Sequence, residues 1–130
     1  MIPRAVIFDM DGLMVETESL TSQAYYEVLS SHGVTPIIQA SGCVHEVGIF
    51  GNLARLKKCY KIHYPFRKLR VELRRARKNL IKKGVQSMPG IFPLLNLLYE
   101  KQIPMAVASG SIPSDIRAIV NQLGVRQRFR

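Results

Sequence analysis

The sequence predicts an α/β fold in which a short parallel sheet is interrupted by a helical insertion. Two apolar segments, residues 4–8 and 105–109, have the length and composition of buried strands. Segments with helical periodicity separate them, and strands separated by helices form parallel sheets with right-handed crossovers. The helical stretch that follows the first strand and ends at Gly84 is far longer than a simple crossover helix. We therefore expect a helical domain inserted into a sheet domain.

Each helix is predicted from an apolar stripe and from a residue that ends it. Gly33, Gly84 and Gly124 are suitable stop signals, and Pro65 separates two of the helices. The predicted helices cover about residues 19–31, 47–60, 66–82 and 91–101, with a last helix that Ser111 or Ser114 caps and Gly124 ends. Within the third helix, one apolar stripe is formed by four residues: Leu69, Leu73, Ala76 and Leu80. The resulting domains are a partial sheet core at 1–14 and 86–130, and a helical domain at 15–85.

The composition is that of a globular protein. The chain has 130 residues, of which 47% are hydrophobic and 22% are charged. No apolar stretch approaches the roughly 18 residues that span a bilayer. The amino terminus does not resemble a signal peptide, because its apolar run is only residues 5–8. We therefore expect a cytoplasmic protein with no membrane partner.

The formal net charge of +10 is concentrated in one segment. Between Arg55 and Lys83 there are thirteen Lys or Arg residues and one acid, Glu72. Such a patch can attract nucleic acid or an anionic membrane surface. The helical spacing of the segment instead favours a solvated helix face, and no interleaved aromatic residues suggest a platform for base stacking. Nucleic acid is therefore not expected as a partner, although a basic surface would favour anionic phosphorylated substrates.

The two cysteines, Cys43 and Cys59, are too few for a disulfide framework, and we expect reduced thiols. With His45 and His63 they could supply four ligands of the kind that zinc prefers. Their spacing matches no familiar zinc motif. Unrelated core or surface positions are the favoured interpretation.

The residues with the clearest chemistry follow the first strand. Asp9 and Asp11 lie one residue apart at its carboxyl end, and Gly12 permits backbone conformations closed to other residues. The two carboxylates can therefore converge on one ligand at the sheet edge where α/β proteins bind ligands. The alternative interpretation is a polar turn after a strand.

These residues carry a resemblance to a known family. Asp9-x-Asp11-Gly12-Leu13 followed by Glu16-Thr17-Glu18 resembles the first signature of the haloacid dehalogenase-like hydrolases, in the branch of β-phosphoglucomutase and sugar-phosphate phosphatases. The segment Met105-Ala106-Val107-Ala108-Ser109-Gly110-Ser111 is similar to the family's second motif. The resemblance implies a Rossmann-like core with an inserted helical cap, which matches the domains predicted above.

The resemblance also implies roles for residues at matching positions. Asp9 would be the nucleophile that forms an aspartyl-phosphate, and Asp11 the general acid and base. Magnesium would be the cofactor, held by the Asp9 carboxylate and the backbone carbonyl of Asp11. Ser109 and the backbone N–H of Gly110 would hold the phosphate, although a helix-capping role for Ser109 stays open. The implied substrate is a small phosphorylated metabolite such as a sugar phosphate.

The sequence also departs from the family pattern. Glu16 stands where the family usually has Asp, and His45 lies near a position where relatives often have Arg. After Ser109 the chain has no Lys, and its only acid is Asp115, so the family's later phosphate-binding Lys and metal-binding Asp residues have no counterpart. The chain therefore looks like the amino-terminal part of a longer enzyme, a truncated product, or a degenerate copy that has lost catalysis. Three functions stay open: a phosphatase, a phosphomutase, and a non-catalytic protein that is either an inactive truncated member or a basic binding module.

Overall fold

The computed structural model describes residues 3–37 and 47–129. Its strands are β1 (Val6–Asp9), β2 (Val15–Glu16), β3 (Gln86–Ser87) and β4 (Met105–Ala108). Its α-helices are α1 (Glu18–Ser31), α2 (Gly48–Cys59), α3 (Phe66–Lys83), α4 (Ile91–Glu100) and α5 (Pro113–Gln122), and a 3-10 turn follows at Arg126–Arg128. The chain divides into two compact units, one comprising Met1–Glu18 with Gly84–Arg130 and the other Ser19–Lys83.

The first unit, which we call the sheet unit, is built on the predicted parallel pair of strands. β1 and β4 pair in parallel with Val6 opposite Met105 and Asp9 opposite Ala108. Both strands are apolar because their inward residues, such as the buried Phe8 and Met105, pack into the core. A parallel bridge from Met105 to Phe129 adds a further pairing on the other side of β4. The carboxyl ends of β1 and β4 therefore lie at one edge, and bring the segments after Asp9 and Ala108 together.

The sheet unit also contains a short antiparallel pair that was not predicted. β2 pairs with β3, with Val15 opposite Ser87 and Glu16 opposite Gln86. Strand β1 extends one residue further than expected, to Asp9, and begins at Val6 rather than at residue 4. The prediction that Ser111 or Ser114 caps α5 is wrong, because Ile112 is the cap residue and makes no side-chain cap hydrogen bond. Pro113 begins the helix instead, at a position where a missing N–H costs nothing.

The second unit, which we call the helical unit, consists of α1 from Ser19 onward together with α2 and α3. The stripe of α3 differs from the prediction at one position. Leu69, Leu73 and Leu80 are buried as expected, but Arg77 is fully buried where Ala76 was expected to face the core, and Ala76 is only half-buried. The Arg77 guanidinium donates a hydrogen bond through Nη1 to the Thr21 hydroxyl of α1. A long side chain can place its aliphatic stem in the core while its polar head finds a partner, which apolar periodicity alone does not detect.

Tyr25 is another polar residue in this core. It is almost fully buried, and its hydroxyl donates to the backbone carbonyl of Ile49 at 2.8 Å. Burial raises the pKa of Tyr25 to about 12, although the charge of Arg77 and a hydrogen bond with Asn52 act in the opposite direction. The tyrosine therefore stays neutral in the folded chain at pH values where it ionises in the unfolded chain.

This difference predicts a loss of stability at high pH. Because the folded pKa lies above the unfolded value near 10, the contribution of Tyr25 is complete below pH 10 and disappears as pH rises toward 12. We expect the stability difference between the wild type and Tyr25→Phe to shrink by about 2 kcal/mol over this interval. Urea unfolding at several pH values measures it. Tyr26→Phe, at the exposed neighbouring position, is the control, and an equal pH dependence in both variants would contradict the prediction.

Candidate active site

The loop after β1 carries both aspartates of the predicted site. Gly12 has φ of +78°, a conformation that other residues rarely adopt, and its N–H donates to the carbonyl of Val15 at 2.8 Å. The Met14 N–H donates back to the carbonyl of Met10 at 3.0 Å. These bonds close a tight loop in which Asp9 is exposed and Asp11 is partly buried.

Asp11 is held by three hydroxyl groups. Its Oδ1 accepts a hydrogen bond from Thr17 Oγ1 at 2.8 Å. Its Oδ2 accepts one from Ser109 Oγ at 2.6 Å and another from Ser111 Oγ at 2.9 Å. Thr17 is buried and follows β2, whereas both serines follow β4. A single carboxylate therefore joins three segments at the carboxyl edge of the sheet.

Ser109 is placed beside Asp11 and does not cap a helix. While its hydroxyl donates to Asp11, its oxygen accepts the backbone N–H of Ser111 at 2.9 Å. The alternative of a helix cap is wrong, because α5 begins at Pro113 with Ile112 as its cap residue. Gly110 is exposed between the two serines. The structure thus brings Asp11 and Ser109 into direct contact, and their roles toward a phosphate stay predictions.

Asp9 is in a different environment from Asp11. Its side chain is exposed, and its Oδ1 accepts the backbone N–H of Met10 at 2.8 Å. This bond fixes the orientation of the carboxylate at the end of β1. Of the two aspartates, Asp9 is therefore the more accessible to a ligand, while Asp11 is the more restrained.

The oxygen atoms at this edge are of the type that magnesium prefers, but few of them come from the protein. Mg²⁺ is commonly held by one or two carboxylates together with water and substrate phosphate oxygens. Asp9 and the backbone carbonyl of Asp11 can supply such oxygens. Among residues 3–37 and 47–129 there is no cluster of three His, Cys, Asp or Glu side chains that could hold a metal ion. A metal here would therefore depend on water and on the substrate for most of its ligands.

Comparison with known proteins identifies the lineage of this site. Residues 6–130 match the family profile described as haloacid dehalogenase-like hydrolase. The chain belongs to this family. The match includes both segments that carried the resemblance, the aspartate loop after β1 and the serines after β4.

Individual haloacid dehalogenase-like relatives cover nearly the whole chain. A phosphorylated carbohydrates phosphatase from Thermotoga maritima is 24% identical over 125 residues, which are 96% of this chain and 58% of the relative. The structure of CbbY from Rhodobacter sphaeroides in complex with phosphate has a TM-score of 0.82 at 23% identity, covering 98% of this chain and 61% of that one. β-Phosphoglucomutase from Clostridium difficile has a TM-score of 0.79 at 21% identity, with coverage of 98% and 60%.

Two conclusions follow from these haloacid dehalogenase-like matches. The structural matches confirm the predicted fold class, an α/β chain with an incomplete parallel-sheet core. The chain also spans less than two thirds of the length of each of these relatives. The activity of a complete family member is therefore a matter of proposal for this chain.

Thr17, Ser109 and Ser111, whose hydroxyl groups bind Asp11, form what we call the hydroxyl cluster. Two of these residues were not predicted as part of the site. Thr17 was noted only as part of the first signature, and Ser111 was expected to cap a helix. A signal for Ser111 existed, because it lies two residues after Ser109 in a turn at the ligand-binding edge. For Thr17 the signal was weaker, since its contact with Asp11 depends on the tight loop that Gly12 allows.

The sequence analysis also singled out Glu16, His45 and the two cysteines. The Glu16 side chain accepts the backbone N–H of Glu18 at 3.0 Å, so it helps to begin α1. His45 and Cys43 lie outside the described residues. Cys59 is disulfide-bonded, which contradicts the predicted reduced thiol and removes it from the zinc ligands considered above.

Among the residues that the structure describes, no helix is long and apolar enough to cross a membrane.

Proposed function

We propose that this chain provides the nucleophile and the general acid of a magnesium-dependent phosphatase that acts on small phosphorylated metabolites of the sugar-phosphate type. The observation that carries the proposal is the pair of aspartates at the carboxyl edge of the sheet. Asp9 is exposed there, while Asp11 is bound by Ser109 and Ser111 from the adjacent strand's end. The phosphatase named among the relatives supports the same activity.

In the proposed reaction, a carboxylate oxygen of Asp9 attacks the phosphorus of the substrate. The bond between phosphorus and the leaving oxygen breaks, and Asp11 supplies a proton to that oxygen. The product on the protein is an aspartyl-phosphate at Asp9. Water, deprotonated by Asp11, then attacks the phosphorus and releases inorganic phosphate with regeneration of Asp9. A magnesium ion, when bound, would neutralise part of the phosphate charge that otherwise repels the attacking carboxylate.

The hydroxyl cluster supports the assignment of Asp9 as nucleophile and Asp11 as general acid and base. Three hydroxyl donors restrain Asp11, so the side chain that handles protons stays within reach of the substrate oxygen. Each carboxylate oxygen has two acceptor sites, so Oδ1, which accepts only the Thr17 hydrogen bond, keeps a site at which Asp11 can carry a proton. A substrate phosphate that accepts hydrogen bonds from Ser109 and the N–H of Gly110 would free a second acceptor site, on Oδ2, where Ser111 remains bound. Substrate binding and proton transfer would then be linked.

A phosphomutase is the second candidate, because a β-phosphoglucomutase is among the structural neighbours. A mutase would use the same aspartyl-phosphate but return the phosphate to a sugar hydroxyl. A family member without turnover is the third candidate.

One assay separates the three candidates. The purified chain is incubated with p-nitrophenyl phosphate and with hexose phosphates, with magnesium or with EDTA, and free phosphate is measured. We expect magnesium-dependent phosphate release at a low rate, since an ion with few protein ligands binds weakly. Isomerisation of a hexose phosphate that requires a bisphosphate would instead establish the mutase. No turnover in a protein shown by circular dichroism to be folded would overturn both enzymatic proposals.

A further inference from the structure

The net charge of the protein belongs entirely to its helical unit. Residues 19–83 contain thirteen Lys or Arg residues and three acids, which gives a formal charge of +10. The sheet unit contains six basic and six acidic residues, and is therefore neutral. The proposed phosphatase site, with Asp9 and Asp11, lies in this neutral unit. The basic charge is thus a property of a different unit from the proposed catalytic residues.

Helix α3 arranges much of this charge in two rows. Arg67, Arg74 and Lys78 are separated by seven and four residues, a spacing that aligns them along one side of a helix. A second row lies beside the first and consists of Lys68, Arg75 and Lys82. All six side chains are exposed. The apolar residues Leu69, Leu73 and Leu80 are buried, so the rows lie on the part of the helix that the core does not use.

Aromatic rings contact two of the row cations, Lys68 and Arg74, and also the neighbouring Arg70. The guanidinium groups of Arg70 and Arg74 lie 4.5 Å and 5.1 Å from the centre of the Phe50 ring. The Lys68 ammonium lies 5.8 Å from the centre of the Tyr64 ring. Contact with a ring restricts the side chain while leaving its N–H groups able to donate, so less rotamer entropy is lost when an anion binds.

The acid on α3 does little to neutralise the rows. Glu72 Oε2 lies 2.7 Å from His32 Nε2 of helix α1. This contact joins one oxygen of the Glu72 carboxylate to His32, and within residues 3–37 and 47–129 no Lys or Arg of the two rows forms an ion pair with a carboxylate. The cationic rows are therefore left to interact with a partner from solution.

We propose that these two rows form a binding surface for the phosphodiester backbone of a double-stranded nucleic acid. An 18-residue helix is about 27 Å long, which matches about eight phosphates along one strand. The aromatic rings near the rows are covered by cations, so the surface suits backbone contacts and not base stacking. This proposal differs from the expectation in the sequence analysis. Nucleic acid was not expected there because the basic segment lacks interleaved aromatic residues for base stacking.

An anionic membrane is the competing partner, and the surface fits it less well. Helices that bind membranes insert a broad apolar face beside their cations. Between the rows of α3 the exposed large apolar residue is Val71, whereas its leucines are committed to the core. The surface therefore offers charge without an apolar face to insert.

Fluorescence anisotropy tests the proposal on the whole chain. The probes are a labelled 20-base-pair DNA duplex, an RNA duplex of the same length and sequence, and a DNA single strand, each titrated in 50–200 mM salt. We expect micromolar binding of a duplex that weakens steeply with salt, because released counterions drive backbone binding. The DNA and RNA arms show which duplex the surface prefers. Flat, negligible duplex binding at 50 mM salt would overturn the proposal.

Two charge-matched variants locate the binding surface. The first is Arg67→Gln/Arg74→Gln/Lys78→Gln on α3, and the second is Lys101→Gln/Arg117→Gln/Arg126→Gln at exposed positions of the sheet unit. Both remove three positive charges. We expect the first to weaken duplex binding at least about tenfold and to lower the salt slope by about two to three, and the second to have a small effect.

The remaining outcomes all count against the proposal. Equal weakening by the two variants would mean that net charge alone attracts the duplex. Binding to phosphatidylserine vesicles without binding to either duplex would assign the surface to a membrane. Circular dichroism of each variant shows whether it retains its helices, so that loss of folding is not mistaken for loss of binding.

Discussion

Asp9→Asn is expected to lower magnesium-dependent phosphate release by at least about 10³-fold, because a neutral amide is a far poorer nucleophile than a carboxylate. Asp9 is exposed, and its recorded hydrogen bond is accepted from the adjacent Met10 N–H, which an amide oxygen can also accept. The substitution should therefore leave the fold intact. The rate of phosphate release at saturating magnesium measures the effect, and the proposed covalent step gives a second measurement. Wild-type protein quenched during turnover of a ³²P-labelled substrate should retain label, and Asp9→Asn should retain none.

Glu100→Gln is the matched control for Asp9→Asn. It also replaces an exposed acid of the sheet unit by its amide, but at the end of α4. We expect its rate to stay within a factor of two of the wild type. If Asp9→Asn keeps more than a tenth of the wild-type rate, or still retains label, another residue accepts the phosphoryl group.

Arg77→Ala is expected to destabilise the protein by about 3–5 kcal/mol, the largest stability effect we anticipate. Arg77 is fully buried and donates to the Thr21 hydroxyl, and its charge lies near the buried Tyr25. Truncation leaves a cavity and also leaves the Thr21 oxygen without this donor. Urea unfolding followed by circular dichroism at neutral pH measures the loss.

Two further variants separate packing from charge. Arg77→Met removes the charge but keeps much of the volume, so it should cost less than Arg77→Ala, because apolar groups can replace a buried charge with little net loss. Arg75→Ala removes an exposed arginine of the same helix and should change stability by less than about 0.5 kcal/mol. Equal effects of Arg77→Ala and Arg75→Ala would show that the buried arginine contributes nothing beyond helix propensity.

Sequence patterns predicted the elements that depend on apolar burial. β1, β4 and the helices α1 to α5 were predicted to within a few residues, since each buries a run or a stripe of apolar side chains. β2 and β3 were missed because they are two residues long and pair Glu16 with Gln86, which leaves no alternation to detect. Arg77 was missed for a related reason, because a charged residue at a core position interrupts the pattern by which cores are recognised.

The candidate site was predictable to a similar extent. The resemblance assigned Asp11 and Ser109 to one phosphate site, and their contact follows from the parallel pairing of β1 with β4, because parallel strands end at a common edge. The position of Ser111 indicated that it lies at this edge, but its contact with Asp11 was not predictable, because a serine shortly before a helix more often bonds the helix backbone than a distant carboxylate. Such contacts depend on the path of a loop, and loop paths leave little trace in residue spacing.

The pairing of β2 with β3 has a consequence for how such chains can diversify. Glu16 and Gln86 are neighbours across an antiparallel ladder, although 69 residues separate them in sequence. The chain therefore leaves and re-enters the sheet unit at points only about 5 Å apart, the separation of two paired strands. A tight turn could close the same gap, and so could an insert of a different size, because the closure entropy rises only slowly with loop length. The segment between β2 and β3 can therefore be replaced during evolution by inserts of other sizes. The loop that carries Asp9 and Asp11 would stay unchanged.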